Sequence, residues 1–547
     1  MRRMRNNTRD AVQEDGSLKK SPRKGTGVFA RGLQVLLLAA GLVFAQAQGV
    51  RAVDFKVAGE WVVNFDYGQN GNFTGGNGQT GYNCSQDEFD AKQRLRIQVD
   101  AVVSEYLSGT VFFEIGETTW GDAPTGGALG TDQPIIEVRR AYIDWTIPDT
   151  NFKVRMGLQG AIVPSYAMAK PQSLGDDFAA VAFSWQFHEN VGVSGFWGRL
   201  YNDNYAGRPN GSGGRSYANY LDNLDAFVLT LPVTFDMGKV TPWVMYAAIG
   251  PNAFKGYGEN GEFDGERYGN FSNATGVSGP WITRGLLPAW ANKVILRGAD
   301  KAFDSYGNGF WAGVTGDITV MDALRIAWDF TYGTVSFDSS AFNRQGWMGA
   351  LLVEYAFDWG TPGLVGWYAT GDDANLGNGS ERLPSISTGA MDNVFSNYAL
   401  DGKVYIGRDA AMYNNLAGSW AIGLRVRDVS FIENLTHIFR VYYIGGTNSA
   451  GILDEARSRD FNPTPNNFGG QAYGVENMYL TDHDSAMEFG VTSVLDVYEN
   501  LKVALDVGYI ALWLDKSEDV WGSSKINGRD DTTRDAWNAN LMFLYSF

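Results

Sequence analysis

Basic residues recur at every second position in two stretches of the chain, the spacing at which side chains share one face of a β-strand. These are Arg94 with Arg96 and Lys153 with Arg155, and in a third stretch Arg140 shares a face with the polar residues Tyr142, Asp144 and Thr146. Such rows could set the electrostatic field along a polar wall and favour polar over apolar solutes. They could equally pair with nearby carboxylates, for which the candidates are Asp100, Asp144 and Glu137. The spacing alone leaves both interpretations open.

Residue types that usually carry catalysis or bind metals are scarce. The single cysteine, Cys84, excludes an intrachain disulfide, and no histidine or other base stands beside it to make it a nucleophile. The three histidines, His188, His437 and His483, are scattered without the spacing of metal ligands. No glycine-rich phosphate loop stands between a strand and a helix. We therefore expect no enzyme and no bound metal or other cofactor.

The charge balance separates a basic leader from an acidic remainder. The chain of 547 residues has a net charge of −17, and its first 52 residues hold ten Lys or Arg and three Asp or Glu, so residues 53–547 carry −24. Such a polypeptide is a poor candidate for binding nucleic acid, because phosphate binding draws its affinity from Lys and Arg.

The basic leader has the organisation of a targeting segment. It precedes an apolar stretch of 13 residues, Leu33 to Ala45, which is too short to span a bilayer as a helix. Sites of small residues follow it, so cleavage after Ala47 or after Ala52 is possible. Residues 1–52 are therefore predicted to be a signal peptide that directs export and is removed.

Beyond residue 52, apolar and polar residues alternate over stretches of 9 to 13 residues, long enough for tilted strands to cross a membrane. We place eighteen strands on this pattern, and the linkers between them are alternately long and short. This alternation predicts an all-β fold, an antiparallel up-and-down transmembrane barrel with short periplasmic turns and long extracellular loops. Residues 53–547 would form this single domain. Sixteen strands remain possible if 181–188 and 363–370 do not span.

The apolar strand faces are rich in aromatic residues near the strand ends, as expected where a barrel meets the two interfaces of a membrane. A soluble β-sandwich would instead present a polar outward face. The last strand ends with Phe543, Tyr545 and Phe547 on its apolar face. A terminal aromatic residue after alternating apolar residues is typical of the signal read by the outer-membrane insertion machinery. We therefore expect an integral protein of a Gram-negative outer membrane.

Five stretches of the chain carry a resemblance to a known family: VDFKVAGEWVVNFDYG, DEFDAKQRLRIQVDAVVSEYLSGTVFFEIGETTWG, IIEVRRAYIDWTIPDTNFKVRMGLQG, FHENVGVSGFWGRLYNDN and KVTPWVMYAAIGPN. They resemble the outer-membrane homotrimeric porins of Desulfovibrio-type sulfate-reducing bacteria. The resemblance covers most of the chain after residue 52 and weakens in the long loops after residue 250. It implies a homotrimer of water-filled barrels through which small hydrophilic solutes and ions diffuse passively. It supplies no catalytic motif.

By analogy with general porins, the third external loop, 161–180, would fold inward and form a constriction. It would set Asp176 and Asp177 against a basic wall made of Arg94, Arg96, Arg140, Lys153 and Arg155. Arg139 and Glu137 instead lie on the apolar face of their strand, which indicates a subunit contact or the headgroup zone. Further acids could line the lumen and leave the sign of ion preference open, namely Asp66, Asp329, Asp358 and Asp506.

Three alternatives stay open beside a general diffusion porin. The first is a substrate-specific channel for a sugar, a phosphate or a short peptide, and the second is a plugged barrel with a structural or adhesive role. The third is a lipase embedded in the barrel, which would need a Ser–His pair on the outer wall, where His437 has no convincing partner. Acidic loops could bridge divalent cations to lipopolysaccharide, although solvated surface charge is the simpler account.

Overall fold

The structure is a computed structural model, and it describes most of the chain beyond residue 52. The described residues are 53–69, 88–130, 136–168, 171–201, 223–251, 255–257, 263–268, 284–288, 290, 305–386, 416–465, 479–522 and 535–547. The predicted signal peptide and Cys84 lie outside them. Within the described ranges no helix is long and apolar enough to cross a membrane.

Most of the described residues form strands, and the others include the helix α1 (Gly451–Ser458) and 3-10 turns at Arg284–Leu286 and Ser340–Phe342. The strands are β1 (Asp54–Gln69), β2 (Glu88–Ser104), β3 (Leu107–Thr119), β4 (Ile136–Thr146), β5 (Phe152–Ile162), β6 (Gly175–His188), β7 (Val191–Tyr201), β8 (Leu224–Thr230), β9 (Val233–Phe235), β10 (Gly238–Ile249), β11 (Lys255–Tyr257), β12 (Phe263–Tyr268), β13 (Gly307–Val320), β14 (Leu324–Ser336), β15 (Arg344–Tyr355), β16 (Thr361–Ala369), β17 (Ser419–Ile432), β18 (Leu435–Gly446), β19 (Ser485–Tyr498), β20 (Leu501–Trp513) and β21 (Ala536–Ser546).

Nineteen of these strands form one antiparallel sheet, while β11 and β12 pair separately. β8 and β9 follow each other between β7 and β10, so they make one interrupted crossing, and the sheet has eighteen crossings. The sheet closes because β1 also pairs with β21, from Glu60 opposite Ser546 to Gln69 opposite Trp537. The predicted eighteen-stranded barrel is confirmed. The stretches 181–188 and 363–370 both belong to spanning strands, which removes the sixteen-stranded alternative.

Short turns gather at one end of the barrel, the short-turn end, and the longer connections lie at the other, the long-loop end. Two-residue turns join β2 to β3, β6 to β7, β17 to β18 and β19 to β20. Asp149, Asp322 and Asn434 take up left-handed backbone in short turns, with φ near 60°. Asp and Asn tolerate this conformation better than other non-glycine residues. These residues therefore allow the chain to reverse within the short linkers that the sequence predicts.

The outer face is apolar and carries two belts of aromatic residues. At the long-loop end, ring pairs include Phe65 with Trp120, Tyr67 with Trp537, Phe227 with Tyr246 and Trp420 with Tyr443. At the short-turn end, the ring of Phe357 lies against those of Tyr355 and Trp359, and the rings of Tyr545 and Phe547 form a further pair. The eleven residues from Trp347 to Phe357 span a height of about 25 Å on a tilted strand, which matches the apolar band of a transmembrane barrel.

The inner face differs from the polar lining that alternation alone suggests. On β8 to β20, many inward positions in the half nearer the long loops are apolar and fully buried, for example Met245, Trp311 and Ile444. Loop residues such as Leu286, Trp290 and Ile386 join them in one apolar cluster. The physical reason is that connections at the long-loop end fold into the barrel and remove these side chains from water.

Candidate channel lining and constriction

The wall formed by β4 and β5 carries a three-charge cluster with one acid between two bases. Asp144 lies opposite Arg155 in the strand register, and Lys153 lies opposite Thr146. Arg155 donates to both carboxylate oxygens of Asp144, at 2.7 and 2.8 Å, and Lys153 Nζ lies 3.1 Å from Oδ2. The Arg155 guanidinium also lies 4.0 Å from the centre of the Tyr142 ring. Lys153 and Arg155 remain accessible to water, with side chains 44% and 33% exposed.

The neighbouring wall of β2 and β3 pairs each arginine with its own acid. Arg94 Nη1 donates to Glu117 at 2.7 Å, and Arg96 Nε donates to Glu114 at 2.6 Å. Arg94 is buried, whereas Arg96 is partly exposed. Asp100 accepts hydrogen bonds from Gln98 and Thr110 instead.

The basic residues of the predicted wall are therefore paired with nearby carboxylates. Asp144 was among the candidate partners, whereas the other carboxylates are Glu114, Glu117 and Asp177 in place of Asp100 and Glu137. The partners lie on strands that the register brings alongside, so spacing within one strand could not identify them.

Asp176 and Asp177 lie in strand β6, which corrects their predicted place in a loop over 161–180. β5 continues to Ile162 and β6 begins at Gly175, with Asp177 opposite Gly160. The alternation of apolar residues is interrupted by the two acids, so the pattern missed the first residues of β6, where the backbone pairing with β5 continues. Asp177 shares the exposed face of β6 with Ala179, whereas Asp176 shares the face of the buried Phe178.

A chain of ion pairs passes through the wall near these acids. Arg139 is the extra residue of a β-bulge, because Phe112 lies opposite Arg140 and Phe113 lies opposite Val138. Arg139 Nη1 lies 2.9 Å from Glu114, and its Nη2 lies 2.9 Å from Asp177. Arg140 Nε donates to the second oxygen of Asp177 at 2.8 Å. Arg139 thus links Glu114, which pairs with Arg96, to Asp177 on the outer face.

The connection between β5 and β6, residues 163–174, folds into the barrel and reaches β14. Asp329 on β14 accepts hydrogen bonds from the Ser165 hydroxyl at 2.8 Å and from three consecutive backbone N–H groups, of residues 166, 167 and 168, at 2.8 to 3.0 Å. Lys239 Nζ lies 4.1 Å from the centre of the Tyr166 ring. β5 is the fifth crossing and β14 the eleventh of eighteen, so this loop bridges the barrel interior.

A second basic cluster lies half the circumference away from the first, and sequence analysis did not single it out. Arg325, Glu354, Arg425 and Arg440 occupy one register row across β14 to β18, with Gly363 between Glu354 and Arg425. Glu354 accepts from Arg425 at 2.6 Å and from Arg325 at 3.0 Å, and it also accepts from the neighbouring Arg427 at 3.0 Å. The alternating Arg425 and Arg427 were the available signal in the sequence.

The loops at the long-loop end are held by buried polar groups. Asp372 accepts from the Tyr479 hydroxyl at 2.7 Å and from Ser380, and burial raises the pKa of its carboxyl. Arg344, at the start of β15, donates to the carbonyl oxygens of Arg382, Leu383 and Leu287 at 2.8 to 3.1 Å. These bonds satisfy backbone carbonyls that an inward-folded loop would otherwise leave without partners.

The remaining predicted residues take separate places. Phe543 and Tyr545 are on the exposed face of β21, and Phe547 exchanges backbone hydrogen bonds with Gly59. His188 ends β6, and His483 pairs with Asp515 at 2.9 Å. The expectation that His437 lacks a partner is wrong, because its Nδ1 lies 2.8 Å from Ser493 Oγ across β18 and β19. Among the described residues no carboxylate pairs with His437 to orient it as a catalytic base.

No protein-family model and no curated protein matches the sequence. Solved structures do match. Pseudomonas aeruginosa OccK2 (OpdF) is 10% identical over 90% of this chain and 98% of its own, with a TM-score of 0.50. A BenF-like porin from Pseudomonas fluorescens Pf-5 is 10% identical over 91% of this chain and 100% of its own, with a TM-score of 0.47. P. aeruginosa OccD3 (OpdP) is 10% identical over 91% of this chain and 94% of its own, also with a TM-score of 0.47.

The likeness to OccK2 concerns the fold alone and agrees with the closed barrel described above. A closed antiparallel barrel of eighteen crossings with an apolar, aromatic-belted outer face is the architecture of outer-membrane-type β-barrels.

Proposed function

We propose that this protein is an outer-membrane porin that passes small hydrophilic solutes and ions by diffusion, without a cofactor or an energy source. The observation that carries the proposal is the contrast between the two faces of the wall. The outer face is apolar between its aromatic belts, while the inner face of β2 to β5 holds charged side chains that water still reaches, such as Lys153 and Arg155. Charges inside a closed barrel need a water-filled path.

The constriction is proposed where the loop of residues 163–174 bridges the interior. Its field would come from two clusters on opposite walls, one around Asp144 and one around Glu354. Arg94, Arg96, Lys153, Arg155 and Asp176 remain proposed contributors. Asp177 is better suited to the outer face, as its strand position indicates, and so is Arg140, whose guanidinium pairs with it. Because most bases are paired, we expect weak ion selectivity and a preference for polar solutes.

A substrate-specific channel is the second candidate, and the inward-folded loops favour it. Leu286, Trp290, Leu383 and Ile386 are buried inside the barrel and occupy interior volume. A narrower path beside a row of arginines would suit a small anionic solute that the guanidinium groups can bind in place of Glu354.

The cellular context of the proposal follows from the same surfaces. The apolar belt would face outer-membrane lipid and lipopolysaccharide, and Phe543, Tyr545 and Phe547 would be read by the insertion machinery. The homotrimer is proposed on the resemblance to Desulfovibrio-type porins.

Conductance of the purified protein in a planar bilayer tests the channel and its constriction. Single replacement of Arg94, Arg96 and Arg155 by Ala should raise unitary conductance or shift the ratio of cation to anion permeability. Unchanged selectivity and conductance in all three variants would remove the basic wall from the constriction. Absent conductance in the unaltered protein would contradict the channel itself.

A further inference from the structure

Among the described residues, the aromatic belt at the long-loop end has one gap. Trp120 packs against Phe65 on one side of the gap, and the belt resumes with Trp197 on β7. Between them, the outward-facing residues of 136–141, 158–162 and 177–181, on β4, β5 and β6, include no aromatic side chain. We call these outward-facing residues the β4–β6 face. Aromatic belts anchor a barrel at the lipid headgroups, so a sector without one is not built for lipid contact.

The same face carries charge where a lipid-facing wall would be apolar. Asp177 lies on it opposite Gly160, and the Arg139 and Arg140 guanidinium groups pair with Asp177. A Cβ at position 160 would lie 2.9 Å from Arg140 Nη2 and 3.0 Å from Asp177 Oδ1, so the ion pair lies directly over this glycine. Ionised groups on the lipid face of a barrel are destabilising, whereas an interface with protein tolerates them.

The connection that leads from β3 into β4 carries a fully exposed apolar side chain. In the connection from β3 to β4, Gly121 and Gly127 bond through their backbones, and Asp122 accepts from the Thr125 N–H group. Leu129 in this loop is as exposed as a free residue, at 108%. A contact with another copy would remove this apolar side chain from water, which is favourable.

From these three observations we infer that the β4–β6 face, with the loop that carries Leu129, is the contact between copies of this chain. The inference rests on the proposed membrane location and assigns a face to the proposed trimer. In a closed ring of three, each contact joins one flank of the face to the other flank of the next copy. Lipopolysaccharide phosphate is the less suitable occupant, because Arg139 and Arg140 already have carboxylate partners.

Distances between spin labels test this assignment without requiring that two particular residues touch. In a Cys84→Ser background, Leu158→Cys labels the middle of the β4–β6 face, and Leu364→Cys is the matched control on β16. Both leucines are exposed to a similar degree and lie on the outer face. One barrel of eighteen tilted strands is about 35 Å wide. We expect label separations well below this width for Leu158→Cys and none below it for Leu364→Cys.

A loop variant gives an independent readout. Leu129→Asp should leave the barrel folded, because the side chain has no contacts to lose, and should lower the temperature at which trimers dissociate on semi-native gels. The inference would be overturned if spin labels at position 158 showed no dipolar coupling between copies, or if the short distances appeared at position 364 instead. A monomer that retains lipopolysaccharide on this face would also overturn it. Bilayer conductance of the same preparations distinguishes failure of this inference from failure of the proposed function. If the labels contradict the contact face but the protein still conducts, only the inference is wrong.

Discussion

At the scale of single residues, the charged lining is a set of compensated clusters rather than a free basic wall. Asp144 holds two cations, and Glu354 holds three guanidinium groups. In the Glu354 cluster Arg325 also pairs with Asp317, and Arg427 with Asp428, whereas at Asp144 a single acid is outnumbered by its two bases. Removing that acid should therefore change the channel more than removing any one base.

Asp144→Asn should move the channel toward anion preference, because Lys153 and Arg155 lose their shared negative charge. Arg155→Gln should move it the opposite way, since Asp144 then faces only Lys153. Reversal potentials across a salt gradient measure both shifts. Asp496→Asn is the control, because Asp496 pairs with Lys502 near the short turn between β19 and β20. Shifts of the same sign in the Asp144 and Arg155 variants would contradict the cluster.

Asp329 is expected to fix the constriction loop. Asp329→Asn keeps the size of the side chain but removes the charge that accepts from Ser165 and three backbone N–H groups, at a cost of about 1–3 kcal/mol in loop docking. We expect larger or noisier unitary conductance. Asp358→Asn, at an exposed position beside a short turn, should leave single-channel records unchanged. Identical records for the Asp329 variant and the unaltered protein would show that other contacts hold the loop.

At the scale of elements, the strands could be predicted from sequence and the loops could not. Alternation located all eighteen crossings because each strand has one face toward the apolar exterior, which constrains every second residue. β6 is the instructive exception, since Asp176 and Asp177 interrupt that alternation while backbone pairing with β5 continues. The inward loops have no such period. Their burial depends on contacts between segments far apart in sequence, as between Asp372 and Tyr479.

The closing seam gives a prediction about folding. Phe547 exchanges two backbone hydrogen bonds with Gly59, and its ring lies where a Cβ at position 59 would be, 2.3 Å from its Cζ. Gly59→Val should therefore obstruct closure of β1 on β21 and lower the yield of folded, heat-modifiable protein. Gly349→Val is the control, because a Cβ there would meet only ordinary contacts near 3.9 Å. Equal folded yields for the two variants would contradict this role of the seam.

The loop cluster around Asp372 gives a prediction about pH. Because burial raises the pKa of this carboxyl in the folded protein, the folded loops bind its proton more tightly than the unfolded ones. Docking is then strongest below the ordinary Asp pKa, about 3.9, and weakens as pH rises through the raised value. Hydrogen exchange in residues 479–484, corrected for intrinsic rates, should show protection that falls with rising pH. Asp372→Asn should flatten this dependence, and an unchanged slope would contradict it.

At the scale of the whole molecule, the barrel wall has an apolar outer face suited to lipid and an inner face with charged side chains that need water. Lipid requires that every backbone group be paired within the sheet, and the closure between β1 and β21 meets that requirement. The sequence carried this architecture because the outer face, the turn lengths and the terminal strand all obey one pattern. The residues that narrow the interior do not recur with a fixed period. The ion pairs between strands and the loop that bridges the interior could therefore not be predicted from the sequence.

The central claim is that the interior conducts. Single-channel recording of the purified protein in a planar bilayer tests it most directly. We predict ohmic current steps in groups of three and a modest reversal potential in a salt gradient, because most of the lining charges are paired. Membranes that stay silent despite correctly folded, inserted protein would contradict the account and show that the inward loops close the barrel.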